Sequence, residues 1–301
     1  MQMIFNQFII KILPYLPLAV IRLVAGKYVA GESAADALNV VKALNLQGFS
    51  ATVDILGEHT INKNTALDIT NEYKSILSSI NDQNLNCNIS IKPSHLGMDI
   101  STECIVENMT SLIKTARENS QFIRIDMEDS SLTNATIQLY IKCKEEYEKV
   151  GTVLQAYLLR TNNDLNELNN ENKFNVRICK GIYRESSDIA LQSRHDINNN
   201  FLKLLRFSFK NNIYVCIATH DQFLIKESYK IIEDLEIPND RFEFQVLYGV
   251  PGSGWLQKHL NHEYMVRVYV PFGKDWYDYS LRRMKENPNI IGYVLRNIFR
   301  K

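Results

Sequence analysis

Four residues near the C-terminal end stand at helical spacing: Tyr279, Arg282, Arg283 and Glu286 fall at i, i+3, i+4 and i+7, so one helix face carries a phenol, two guanidinium groups and a carboxylate. Paired guanidiniums present rigid forked donors that match a carboxylate bidentately, and Glu286, one turn on, can hold the forks in place. The expected ligand therefore carries a carboxylate. The plain alternative is a solvated charged face with incidental ion pairs. Against it stand the aromatics Trp276, Tyr277 and Tyr279, and the strand pattern just before them, in which Val266, Val268 and Val270 alternate with Arg267 and Tyr269.

Other groups able to do chemistry sit where short apolar runs end: Asp54 with Glu58, Lys92, Asp126, Gln155, Arg177 with Lys180, Thr219 with His220, Gln245 and Tyr269. Lys92 and Asp126 close neighbouring runs and are expected to form an ion pair, functional or merely structural. A lysine in such a place, Lys92 or Lys180, could instead form a Schiff base. Thr219 and His220 offer a hydroxyl and a ring nitrogen for a cofactor phosphate or ring edge. His259 and His262 in HLNH lack the spacing and the glutamate of HExxH, so no metal site is expected. GVPGSG does not make GxGxxG, and no P-loop is present.

These groups need a scaffold that aims them one way. Strand-like runs occur at 49–56, 88–92, 122–126, 152–157, 175–179, 213–218, 242–247 and 265–270, the last stopping at Pro271 and Gly273. Helical stripes lie between them: Ile105, Met109, Leu112, Ile113 and Ala116; Leu139, Tyr140, Cys143, Tyr147 and Val150; Phe201, Leu204, Leu205 and Ser208. Eight strand and helix units without a linker-like break point to an α/β fold, a (β/α)8 barrel of TIM type whose site lies at the C-terminal strand ends. An open doubly wound sheet is the alternative. The expected layout is one domain: an N-terminal helical extension over 1–48, with Ala34, Ala35, Ala37, Leu38, Val41 and Leu44 at helical spacing, packed on a barrel over 49–301.

Across 301 residues, 34 basic groups balance 34 acidic ones, so nothing suggests nucleic acid, and 45% hydrophobic residues suffice for a large core. Five scattered cysteines fit reduced core thiols and a cytoplasmic setting. Residues 4–25 are apolar but interrupted by Lys11, Pro14, Pro17 and Arg22, which suits neither a spanning helix nor a signal peptide. They are expected to dock on the rest of the chain, with peripheral contact to a membrane surface as the second reading.

Eight segments, in order, resemble those of monofunctional bacterial proline dehydrogenases: VDILGE (53–58), SIKPSHLGMDI (90–100), RIDMED (124–129), LQAYLLRT (154–161), RICKGIYRE (177–185), ATHD (218–221), FEFQVLYG (242–249) and VYVPFGKDWYDYSLRRMKEN (268–287). The resemblance spans most of the chain and implies a distorted barrel. It also implies oxidation of L-proline to Δ1-pyrroline-5-carboxylate with FAD, reoxidation by a membrane quinone, and a separate pyrroline-5-carboxylate dehydrogenase as partner. By that resemblance Arg282 and Arg283 bind the substrate carboxylate with Lys92, supported by Glu286 and Asp126. Tyr183, Leu247, Tyr269 and Tyr279 wall the ring. Met127, Gln155, Arg177, Lys180, Gly181, Ile182, Thr219 and His220 hold FAD, Arg177 lies beside its reacting nitrogen, and Glu58 pairs with Arg282 as a gate. Asp126, Arg177, Lys92 and Tyr269 are the implied catalytic set. The chain departs from the common pattern at Cys179, Ile182 and Asp221. A Schiff-base lyase on the same barrel and an amino-acid sensor without turnover remain the alternatives.

Overall fold

The computed structural model describes residues 22, 26–169, 174–250, 254–277 and 279–281. The eight strands are β1 (Ser50–Ile55), β2 (Cys87–Ile91), β3 (Ile123–Ile125), β4 (Val150–Gln155), β5 (Asn175–Cys179), β6 (Tyr214–Ala218), β7 (Phe242–Leu247) and β8 (Val266–Phe272). They pair in parallel and in sequence order, and β8 closes on β1 with Thr52 opposite Tyr269. Helix α1 (Ala34–Leu46) precedes β1. Between successive strands lie α2 (Lys63–Asp82), α3 (Thr102–Glu118), α4 (Thr133–Glu146), α5 (Thr161–Asn169), α6 (Arg194–Lys210), α7 (Gln222–Asp234) and α8 (Trp255–Asn261). This is the expected (β/α)8 barrel rather than the open sheet.

The alternation within each strand sorts side chains to two sides. In β7, Phe242, Phe244 and Val246 join the buried apolar cluster, whereas Glu243 and Gln245 bond to one another and to Arg267 and Arg177 across the barrel interior. The helix stripes face the outer side of the strands. Ile105, Met109, Leu112, Ile113 and Ala116 are all buried along α3, whose first turn is capped by Ser101 Oγ accepting from the Cys104 amide.

Two strands differ by more than one residue from the sequence reading. Strand β4 spans 150–155 rather than 152–157, so Val150 opens a strand instead of closing the preceding helical stripe. Gly151 stands within it, where a Cβ would lie 2.4 Å from Arg124 Nη1. Strand β8 runs through Pro271 to Phe272, because Pro271 needs no N–H of its own there and its carbonyl accepts from the Ala30 amide at 2.9 Å. The chain turns instead at Gly273, with φ at +131°.

Helix α1, opened by a capping box between Ser33 and Asp36, packs Ala37, Leu38 and Val41 against β1 and β8. It therefore covers the seam where a regular barrel sets the helix that follows its last strand, and this is the distortion. Among the described residues beyond β8, Asp275 and Tyr279 join the cavity wall at the open end. The apolar stretch 4–25, apart from Arg22, lies outside the described residues, as do Arg282, Arg283 and Glu286.

Candidate active site

A cavity of about 570 Å³ opens at the C-terminal end of the barrel, within the range of about 300–1,000 Å³ usual for ligand sites. The strand ends meet there. Glu58 comes from the segment after β1, Lys92 from the end of β2, and Asp126 and Met127 from the end of β3. Gln155 closes β4, and β5 contributes Arg177 followed by Lys180, Gly181, Ile182 and Tyr183. Thr219 and His220 follow β6, Leu247 ends β7, Tyr269 lies in β8 and Tyr279 beyond it. Every sequence-predicted site residue among those described thus lines one cavity.

Its ion pairs are buried, but they are not the expected ones. Lys92 pairs with Asp54, not with Asp126: its Nζ is 2.8 and 2.7 Å from the two Asp54 oxygens. The reason is that β1 lies beside β2 just as β3 does, and Asp54 presents both oxygens on the interior side. Asp126 is taken instead by Arg177, which donates from Nη1 to Oδ1 at 2.6 Å. Ser90 Oγ donates to the same Oδ1 at 2.5 Å, and Tyr269 Oη donates to Oδ2 at 3.2 Å.

Arg177 is held from four sides. Its Nε donates to Gln245 Oε1 at 2.5 Å, its Nη2 to Ser90 Oγ at 3.3 Å, and its guanidinium carbon lies 5.4 Å from the centre of the Tyr269 ring. Burial alone would lower its pKa, but the Asp126 carboxylate offsets that and the net direction is upward, so it stays charged. Burial beside Asp54 and Asp126 raises the Tyr269 phenol well above its usual value, which keeps it a donor.

Further out, Lys180 pairs with Asp221 at 2.5 Å, and Arg194 reaches the same oxygen at 2.9 Å. Despite burial, those two cations bring the Asp221 carboxyl down to about 2. His220 Nε2 accepts from the Leu247 amide at 2.9 Å, so one ring nitrogen already serves the protein. His259 stacks on Phe244 at 3.9 Å and bonds to Tyr229 Oη, as a core histidine. Among the described residues no group of His, Cys, Asp and Glu is placed to hold a metal ion.

The sequence matches the family described as Proline dehydrogenase over residues 37–294. The chain belongs to the proline dehydrogenase family. Proline dehydrogenase 2 of Bacillus subtilis (strain 168) is 37% identical over 280 residues, covering 93% of this chain and 92% of that protein. Proline dehydrogenase of Deinococcus radiodurans is 33% identical over 282 residues, covering 92% and 90%. Among solved structures, proline utilization A from Bdellovibrio bacteriovorus, inactivated by N-propargylglycine, superposes with a TM-score of 0.81 at 24% identity. It covers 88% of this chain, which spans 32% of that one, and the likeness speaks for the fold.

Membership in the proline dehydrogenase family places the chain among oxidoreductases and implies a flavin cofactor. The cavity fits such a group on its own chemistry. Gln155 donates its Nε2 to the carbonyls of Met127 and Glu128, at 3.4 and 3.2 Å, which leaves Oε1 buried and without a donor. An N–H of a bound ring would satisfy it. Gly181, with φ at +102°, brings its backbone so close to Tyr157 that a Cβ would sit 2.1 Å from the ring.

Some participants have no role in the sequence reading. Asp54 and Gln245 are recognised there only as polar strand ends. Ser90 is absent, although it stands two residues before Lys92 on the same strand face, and that spacing could have found it. Glu128 also lines the cavity, its carboxylate accepting from the Ser94 amide at 2.9 Å and from Ser94 Oγ. It follows β3, where strand period no longer applies, so no signal marks it.

Proposed function

We propose that the chain oxidises L-proline to Δ1-pyrroline-5-carboxylate with FAD as hydride acceptor, and that a membrane quinone reoxidises the flavin. The observation that carries this reading is the fixed cation at Arg177, held in the cavity wall by Asp126, Ser90 and Gln245. A preset positive group is most useful where negative charge develops, which for a flavin is on its reduced ring. Bound FAD supplies the acceptor for the hydride on the carbon next to the proline nitrogen. With the amine deprotonated, its lone pair would form the C=N bond as that hydride is lost.

The protein's part is largely positioning. Lys92, already an ammonium, adds a positive charge for the substrate carboxylate, with Arg282 and Arg283 as the forked donors supported by Glu286. Tyr183, Leu247, Tyr269 and Tyr279 exclude water around the pyrrolidine ring. Met127, Gln155, Lys180, Gly181, Ile182, Thr219 and His220 hold the cofactor beside Arg177, and Glu58 meets Arg282 across the opening as a gate. In the same reading, residues 1–48 pack on the barrel of 49–301, as the buried side of α1 supports. The product passes to a separate pyrroline-5-carboxylate dehydrogenase. Among the described residues no helix is long and apolar enough to cross a membrane. Peripheral contact of the apolar residues 4–25 with a membrane surface is the second reading for that stretch, after packing on the barrel.

Anaerobic titration of the purified protein with L-proline tests the reading: flavin absorbance should bleach. Unchanged spectra at saturating proline would make the barrel a sensor. Arg282→Met should raise KM sharply by removing a carboxylate donor, and an unaltered KM would misplace the substrate.

A further inference from the structure

We infer that Gln245 is a positioning residue for Arg177, tying the guanidinium in the cavity wall to the buried Glu243–Arg267 pair deeper in the barrel. The inference rests on the reading of Arg177 given above. Gln245 stands between two groups of opposite demand. On one side Arg177 Nε needs an acceptor, and Gln245 Oε1 meets it at 2.5 Å. On the other, Glu243 Oε1 needs donors, and Gln245 Nε2 meets it at 2.6 Å. The amide can therefore adopt only one of its two orientations, because the flipped one would set N–H against N–H and oxygen against carboxylate.

The far end of the chain is anchored. Arg267 Nε donates to Glu243 Oε1 at 2.8 Å, and its Nη1 donates to the carbonyl of Ala51 in β1 at 2.8 Å. Despite burial, Arg267 and Gln245 bring the Glu243 carboxyl down to about 2, so the anchor stays an anion. Glu243 and Gln245 are both nearly fully buried, at 2% and 5% exposure, and water cannot replace a lost partner cheaply. The line runs Ala51, Arg267, Glu243, Gln245, Arg177, Asp126, from β1 through β8, β7 and β5 to the end of β3. Asp126 and Ser90 fix the Nη side of Arg177, and Gln245 supplies its Nε partner. An amide is the side chain that suits position 245. A carboxylate there would serve Arg177 but face Glu243, and an aliphatic chain would strand both neighbours.

The experiment uses full-length holoenzyme carrying Gln245→Met, Gln245→Glu, and Arg177→Met for reference. Flavin midpoint potential is measured by anaerobic redox titration, and the limiting rate of flavin reduction and the Kd for proline by stopped flow. Gln245→Met should keep its flavin, shift the midpoint potential downward and slow reduction about tenfold, with the proline Kd moving less than about twofold. Gln245→Glu should be impaired by its two facing carboxylates. A merely structural role would change Tm without moving the potential. An unchanged potential and rate in Gln245→Met, or an unimpaired Gln245→Glu, overturns the inference. If Arg177→Met is altered while Gln245→Met is silent, only this inference falls; if Arg177→Met is silent too, the reading of Arg177 falls with it.

Discussion

Lys92 and Asp54 face each other inside the barrel, with the ammonium 2.8 and 2.7 Å from the two carboxylate oxygens. Burial favours a neutral amine, but the carboxylates of Asp54 and Asp126 more than offset it and hold Lys92 above the usual lysine range. A Schiff-base lysine needs the opposite, a free amine near neutral pH. Incubation with substrate and borohydride should therefore leave Lys92 unmodified in the mass spectrum, and Lys180, paired with Asp221, likewise. A trapped adduct on either lysine would restore the lyase reading.

Gly181 is expected to tolerate no side chain. Its φ of +102° disfavours any L-residue, and a Cβ would lie 2.1 Å from Tyr157 Cδ1, in a ring that is itself buried. Gly181→Ala should cost about 3 kcal/mol in denaturant unfolding and lower flavin occupancy in the purified protein. Gly48→Ala is the control. Its φ of +87° is also unfavourable, but nothing lies within 4 Å of the added Cβ, so the cost should be about 1 kcal/mol. Equal costs would show that the close approach to Tyr157 has no consequence.

Stability should fall as the medium becomes mildly acidic. Burial, with help from His262 and Lys258, lowers His259 to about 4, and burial with Lys92 lowers His95 to about 4. The unfolded rings take up protons near pH 6.5 and the folded ones do not until about 4. Each pH unit lost inside that window therefore withdraws up to about 1.4 kcal/mol per histidine, and above it their contribution is complete. Urea unfolding across this range should show the slope, and His259→Phe should flatten it. A slope that His259→Phe leaves untouched would remove His259 from the account.

Proline should be preferred to 4-hydroxyproline. Tyr269 Oη already donates to Asp126 Oδ2, so a substrate hydroxyl packed against that ring is desolvated without that partner. The loss of about 1–3 kcal/mol corresponds to roughly 5- to 150-fold in kcat/KM. Steady-state comparison of the two substrates decides it, and similar values would end the argument.

Much of the site was legible along the chain because a strand has period two and a barrel strand ends at one rim. The bounds of β5 and β7 follow directly from 175–179 and 242–247, and the strand-end residues from Glu58 to Tyr269 converge on one cavity as their spacing requires. Period gives the face of a side chain, and strand order its neighbours, but neither gives its partner. Lys92 could reach Asp54 on one side or Asp126 on the other. Only barrel closure, which turns these side chains onto one shared interior, gave Asp54 on neighbouring β1 to Lys92 and left Asp126 to Arg177 across that interior. The same closure put Ser90 and Gln245 beside Arg177 and set α1 over the β1–β8 seam. Local sequence thus determined which groups enter the barrel, and three-dimensional closure decided which charge neutralises which, because ion pairing depends on distance in space and not along the chain.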